Sequence, residues 1–498
     1  MMKSIRVLSI ASEIYPLIKT GELADVTGAL PIALKAEGIE VRTLVPGYPS
    51  VMNSLGVVEG VLHLPNLFGS EARLLRATSC ELGLFVLDAP HLFARTGNPY
   101  LRPDGVEWPD NALRFAALAR IAADIALGGV SVFAPDIVHA HDWHAALALA
   151  YLHYSNRRRP ATVMTVHNLA YQGVFPQEML AAVGLPPESF DIHGVEYFGQ
   201  IGFLKAGLYF ADHITTVSPN YATEIVSQEG GLGLGGLLRE RSRDLQGILS
   251  GVDTSVWDPS IDPHIPGCFY PDLPNGFESD VLKNRAMNKA ALQSRLGLTP
   301  APEAFLLGVI GRFSSQKGLD LLVENIPTIV DEGMQLVVLG STGDRNLRYR
   351  YQAAAQAHPG QVSVTVGYDE GLAHLIQAGV DALVMPSRAE PCGLAQLCAL
   401  RYGAVPIVSR VGGLDDTVVD ISDSILNGGR QTGFKFGPVT TENLGSVLQQ
   451  ARATFHDVAA WRRIQRNGMS IDVSWRNPAR HYANLYRSLI EFSQEKVA

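Results

Sequence analysis

At 498 residues the chain is too long for one hydrophobic core and sets an expectation of two domains. Hydrophobic residues make up 47% and charged residues 18%, the balance of a compact globular protein, and no stretch approaches the ~18 apolar residues of a membrane span. A net charge of −9, from 49 acidic and 40 basic side chains, argues against nucleic-acid or membrane partners and suits a neutral substrate.

The chain opens on an apolar run that Glu13 interrupts, with no small-residue cleavage site behind it, which predicts a core strand rather than a signal peptide. Short β-branched runs then alternate with helical patterns. Ile5 to Ile10, Val41 to Val45, Leu84 to Leu87, Asp136 to Ala140, Thr162 to Val166 and His213 to Val217 read as strands, with helices over Leu23 to Ala36, ended by Gly38, and His144 to Tyr154. The run Arg157-Arg158-Arg159 before Pro160 reads as a solvated loop.

Residues 253–280 are rich in Pro, Asp and Gly, lack periodicity, and are the expected linker. Beyond them the rhythm repeats. Strands are expected at Phe305 to Ile310, Gln335 to Leu339, Val362 to Val366, Ala382 to Met385 and Pro406 to Ser409. Helices are expected at Leu319 to Val330, Arg345 to Ala357, Gly371 to Ala378 and Leu394 to Tyr402. Buried strands separated by helices imply right-handed crossovers and parallel sheets. The fold class is therefore α/β, two facing Rossmann-like domains with an interdomain cleft, and function is sought in the loops that follow strands.

Five such loops carry polar side chains. Lys19-Thr20-Gly21-Glu22 leads into the first helix, where free backbone donors and an ammonium suit a phosphate or a hydroxylated acceptor; the alternative is an ordinary strand-to-helix turn. His139-Ala140-His141-Asp142-Trp143-His144 invites a metal reading, but no carboxylate pair accompanies it, and Asp142 is expected either to cap the helix or to accept from sugar hydroxyls. His167-Asn168-Leu169-Ala170-Tyr171-Gln172-Gly173 suits a carbohydrate, unless His167 faces the core.

In Gly311 to Gly318, Arg312 and Lys317 are spaced to converge on a diphosphate, or else form a surface pair. In Pro386 to Leu394, Pro391 and Gly393 fix a tight helix entry that holds Glu390 for sugar hydroxyls or as a structural N-terminal carboxylate. There is no Asp-x-Asp pair, phosphate-loop motif or Gly-x-Ser-x-Gly elbow, so no metal is expected, and nucleotide- and serine-hydrolase readings are set aside. Cys80, Cys268, Cys392 and Cys398 lack paired or ligand spacing, which predicts a reducing compartment, the cytoplasm.

In this order the segments resemble the bacterial glycogen synthases of the ADP-glucose type, relatives of plant starch synthases. The resemblance runs through Ser12-Glu13-Ile14-Tyr15-Pro16, Pro46-Gly47-Tyr48-Pro49, Gly97-Asn98-Pro99-Tyr100, His141-Asp142-Trp143, Gly251-Val252-Asp253 with Trp257, Arg312 to Gly318, and Glu390-Pro391-Cys392-Gly393-Leu394. It implies the glycosyltransferase-B fold and retaining transfer of glucose from ADP-glucose to the 4-hydroxyl of an α-1,4-glucan such as glycogen, with no cofactor or metal. It also implies an acceptor-side domain over 1–252, a donor-side domain over 253–475, and a C-terminal helix over 476–498 crossing back to the first domain.

The catalytic residues it implies are His167, Arg312, Lys317 and Glu390. Lys19, Gly21, Tyr100, Asp142, Asn168, Tyr368, Cys392, Gly393 and Leu394 are implied to bind substrate, Tyr368 toward the nucleotide. Four positions depart from the family pattern: Glu22 replaces a glycine, Ser250 an asparagine, Ala389 an aromatic and Ala395 a threonine. At position 22 a Cβ is expected to resist a glycine conformation and a carboxylate to repel a diphosphate. These changes keep two alternatives open, a catalytically weakened binder of glucan or nucleotide and a glucosyltransferase with another acceptor.

Overall fold

The computed structural model describes residues 4–271, 277–341, 343–422 and 429–495. The chain divides into two units, Met1–Ser250 with Trp475–Ala498, and Gly251–Ser474.

Among the described residues the first unit holds a nine-stranded sheet. Its order is Leu245–Gly247, His213–Thr216, Ala161–Val166, Ile137–His141, Ile5–Ile10, Ile39–Pro46, Leu82–Asp88, Ser70–Ser79 and Val58–Leu67. The first seven strands run parallel and the last two form an antiparallel hairpin. The buried parallel strands match the β-branched runs of the sequence. The hairpin does not, because much of Val58–Leu67 is exposed and offers no continuous apolar run. Its turn places Phe68 at φ 51° and Gly69 at φ 102°, and the Gly69 amide donates to Asn66 Oδ1 at 2.9 Å.

The C-terminal helix Arg476–Glu495 packs on this unit. Trp475, Ala479, Tyr482, Ala483 and Tyr486 share one core cluster with Val7, Leu30, Ile137 and Val163. Residues 496–498 of the helix expected there lie outside the described residues.

The second unit holds a six-stranded parallel sheet among its described residues, in the order Val362–Val366, Gln335–Ser341, Leu306–Arg312, Ala382–Met385, Val405–Ser409 and Phe434–Phe436. The helix expected over Leu319 to Val330 is two, Leu319–Glu324 and Ile326–Asp331. The break falls at Asn325, whose side-chain amide donates to Leu321 O and Thr441 O, and Pro327 opens the second helix.

The segment expected as a linker packs into the second unit instead. Trp257 stacks on His374 at 3.8 Å between centroids, and buried Asp262 accepts from Tyr402 Oη at 2.6 Å and bonds His374 Nδ1 at 2.7 Å. Ile265, Phe269 and Val281 join the same apolar cluster. Its lack of periodicity reflects anchoring by single side chains rather than by one regular face. Residues 272–276 of that segment lie outside the described residues.

Candidate functional site

In a doubly wound sheet, neighbouring strands whose connections leave to opposite faces open a crevice at their carboxyl ends. In the second unit those strands are Leu306–Arg312 and Ala382–Met385, which pair in parallel. The loops that follow them meet. Lys317 Nζ donates to Glu390 Oε2 at 2.6 Å, and Ser387 Oγ donates to the same oxygen at 3.0 Å. Glu390 is 2% exposed, so these charge-assisted bonds offset the cost of burying its carboxylate.

Tight backbone approaches hold the two loops. Gly318 lies at φ 66°, where a Cβ would fall 1.8 Å from Pro386 O, and Gly412 lies at φ 41°, where a Cβ would fall 2.0 Å from Glu390 O. Arg388 bridges the loops from outside, donating to both Asp320 carboxylate oxygens at 2.7 Å and to Ser315 O at 2.6 Å. Arg312 ends its strand with an exposed side chain. Cys392 is buried, Gly393 takes φ 71°, and Leu394 is half-buried just before the helix Ala395–Tyr402.

In the first unit the crevice falls between Ile5–Ile10 and Ile137–His141. The carboxylate of buried Glu13 organises it. Glu13 accepts from the Thr20 amide, from Thr20 Oγ1 at 2.6 Å, from the Gly21 amide at 3.3 Å and from Tyr100 Oη. Tyr100 Oη also bonds Ser12 Oγ at 2.8 Å, and its ring stacks on His144 at 4.6 Å. Burial pushes the Glu13 carboxyl above its ordinary pKa, while these hydrogen bonds pull it back.

The expectation of free backbone donors in the Lys19 loop is therefore corrected. Glu13, an internal anion, takes the amides of Thr20 and Gly21, so an external anion would meet the helix from Glu22 onward. Lys19 Nζ is paired with Asp25 Oδ1 at 2.7 Å. The conformational objection to Glu22 also falls, because Glu22 is the first residue of the right-handed helix Glu22–Lys35. A carboxylate there is favoured by the helix dipole.

Asp142 lies at φ 55°, a left-handed conformation held at the end of its strand. The expected capping role is not the one its contacts show. Its Oδ1 accepts from the His167 amide at 2.7 Å and the Asn168 amide at 3.5 Å, fixing the neighbouring loop rather than capping its own helix. Burial raises its carboxyl to about 7. His141 Nδ1 lies 3.0 Å from His167 Nε2, and His139 bonds Tyr486 Oη at 2.8 Å and Thr165 Oγ1 at 2.5 Å. Burial lowers His139 and His167 to about 3, and His141 and His144 well below their ordinary value, so all four are neutral at pH 7. Among the described residues no group of three or more His, Cys, Asp or Glu side chains is placed to hold a metal ion.

The expected residues thus gather at two crevices. Lys19, Gly21, Tyr100, Asp142, His167 and Asn168 surround that of the first unit, and Lys317, Glu390, Cys392 and Gly393 that of the second, with Arg312 at its strand end. Tyr368 stands apart from the Lys317–Glu390 pair: it follows the edge strand Val362–Val366, is 72% exposed and donates to Glu370 Oε2 at 2.9 Å. Sequence reasoning gave no role to Glu13, Ser387 or Arg388. Glu13 had a signal, a single charge inside the first apolar run, because a charge there folds in only with partners.

Residues 6–240 match the family model described as the starch synthase catalytic domain, and residues 297–449 match that of glycosyl transferases group 1. The chain is 62% identical over 490 residues to glycogen synthase 2 of Bradyrhizobium diazoefficiens, covering 98% of this chain and 99% of the relative. It is 58% identical over 489 residues to the glycogen synthase of Rhodopseudomonas palustris strain BisA53, covering 98% of each. The catalytic domain of starch synthase IV from Arabidopsis thaliana, solved with ADP and acarbose, superposes with a TM-score of 0.87 at 30% identity, covering 98% of this chain and 100% of that one.

Proposed function

Because the chain belongs to the glycogen synthase and starch synthase family of glycosyltransferases, we propose that it transfers glucose from ADP-glucose, with retention, to the non-reducing 4-hydroxyl of an α-1,4-glucan such as glycogen. Its two doubly wound units are the glycosyltransferase-B fold. The observation that carries the reading is the Lys317–Glu390 pair, which puts a cation and a carboxylate side by side at a strand-switch crevice.

The bond from the glucosyl C1 to the phosphate oxygen breaks, and negative charge grows on the departing ADP. Arg312 and Lys317 supply positive charge there, which favours the transition state over the ground state. Those cations take the part a metal plays in other nucleotide-sugar enzymes, so the reaction is proposed to run without one. Glu390, pinned by Lys317 and Ser387, turns its remaining lone pairs to sugar hydroxyls. His167 is neutral and its loop is fixed by Asp142, which suits hydrogen bonding to a neutral sugar beside the Asn168 amide.

No side-chain nucleophile is assigned. The acceptor 4-hydroxyl attacks on the face the phosphate leaves, its oxygen bonds to C1, and its proton passes to the departing phosphate. The place of action is the cytoplasm, a reading supported by the four cysteines, which are all thiols. Among the described residues no helix is long and apolar enough to cross a membrane.

A second reading, a weakened binder of glucan or nucleotide, rests on the departures at Glu22, Ser250 and Ala395, with the Glu22 charge at the first turn of its helix. Incubation with labelled ADP-glucose and glycogen decides between them. Glucan-bound label supports transfer, whereas nucleotide binding without incorporation supports the weakened binder.

A further inference from the structure

Two turns of the first unit place bulky apolar residues in left-handed backbone and expose them. Phe198 (φ 50°, 77% exposed) and Gly199 (φ 75°) form the two-residue turn between the antiparallel strands Glu196–Tyr197 and Gln200–Gly202. A turn with both residues at positive φ favours Asn-Gly, and a phenylalanine there is strained. Leu232 (φ 45°, 49% exposed) precedes Gly233 (φ 90°) in the second turn. The two turns touch: a Cβ built on Gly233 would lie 2.4 Å from Tyr197 Oη and 3.4 Å from Phe198 Cε2.

Neither side chain earns its conformation by joining the core. Single exposed apolar residues are ordinary, but two adjacent ones held in strained backbone are not, and strain of this kind gathers at binding sites. The pair is also tied to the loop that carries His167 and Asn168. Gln172 Nε2 donates to Leu232 O at 3.0 Å and to Leu169 O at 3.3 Å, and Tyr197 Oη donates to Leu232 O at 3.2 Å. Tyr171, half exposed, stands next to Gln172 on that loop.

We propose that Phe198 and Leu232, tied through Gln172 to the loop that carries Tyr171, form a ledge that takes the α-1,4-glucan acceptor chain beyond its reacting end. The assignment rests on the transfer reading above. A glucan is favoured over a protein because aromatic faces suit the apolar faces of glucosyl rings, and because the ledge continues the loop assigned to sugar binding.

The test uses Phe198→Asn, which suits the turn better than phenylalanine. Calorimetry with maltoheptaose and no donor is expected to show binding about 3- to 10-fold weaker than wild type. Thermal unfolding is expected to give an equal or higher Tm, which separates lost binding from lost folding. Steady-state assays are expected to show a raised KM for glycogen and an unchanged KM for ADP-glucose. Equal maltoheptaose affinity in the two proteins, or no binding by either, overturns the ledge. A wild type that binds maltoheptaose but transfers no glucose leaves the ledge standing and removes the transfer reading instead.

Discussion

Lys317 Nζ and Glu390 Oε2, 2.6 Å apart, join the loops that follow two adjacent strands of the second unit. The lysine is half-buried and the glutamate buried, so the pair places positive charge at the crevice while holding its carboxylate still. Replacing Lys317 by Ala is expected to lower kcat by about 10²–10³-fold if its charge stabilises the leaving diphosphate. Tm should fall as well, because Glu390 is left buried without its cation. Lys317→Arg, which keeps the charge, should retain more activity than Lys317→Ala in the same steady-state assay.

The Asp142 carboxyl ionises near 3.8 ordinarily and at about 7 in the fold. The folded state therefore binds more protons between these values, and the stability contributed by the neutral carboxyl is lost as pH rises toward and through 7. Asp142→Asn cannot ionise, and asparagine tolerates the left-handed backbone better. Thermal unfolding should show the variant gaining Tm over wild type by a wider margin at pH 8 than at pH 5. A margin that stays constant with pH would show that Asp142 is already ionised throughout.

The buried histidines act in the opposite sense. His139 and His167 fall from 6.5 to about 3 on folding, so the unfolded chain binds more protons between those values. The stability they contribute is present above 6.5 and lost as pH falls through that window. His139→Gln, which keeps an amide for Tyr486 and Thr165, should give a lower Tm at pH 7 and a shallower decline between pH 6.5 and 5 than wild type. A decline as steep as that of wild type would remove His139 from the account.

Glu22 opens a helix whose dipole favours its charge, yet the same charge faces any anion that approaches that helix end. Glu22→Gly is expected to cost about 0.5–1 kcal/mol of stability from the loss of a helix-forming residue. If the carboxylate opposes the diphosphate, the same variant should lower the KM for ADP-glucose by about 2–5-fold, the range for a partly exposed charge pair. Unchanged KM with reduced Tm would make Glu22 a helix residue and nothing more.

The doubly wound sheets were legible because buried parallel strands are short apolar runs rich in β-branched residues, as in Ala161–Val166 and Gln335–Ser341. The hairpin of Val58–Leu67 and Ser70–Ser79 was not, since its outer strand is largely exposed. Among the candidate residues, Arg312, Lys317 and Glu390 could be found as charges in loops after strands. Their pairing could not: Lys317 and Glu390 are 73 residues apart, and only the order of the strands brings them together. Glu13 shows a different limit. Its charge was visible, but its work, taking two amides that were expected to receive a phosphate, depends on where the chain turns at Thr20 and Gly21.

The central claim, retaining glucosyl transfer supported by the Lys317–Glu390 crevice, is tested most directly by incubating the purified protein with ¹⁴C-labelled ADP-glucose and glycogen. The label should enter the glucan in α-1,4 linkage, with ADP released in equal amount, and Lys317→Ala should abolish most of the incorporation. Absence of label in the glucan, or incorporation that Lys317→Ala leaves unchanged, would contradict the account.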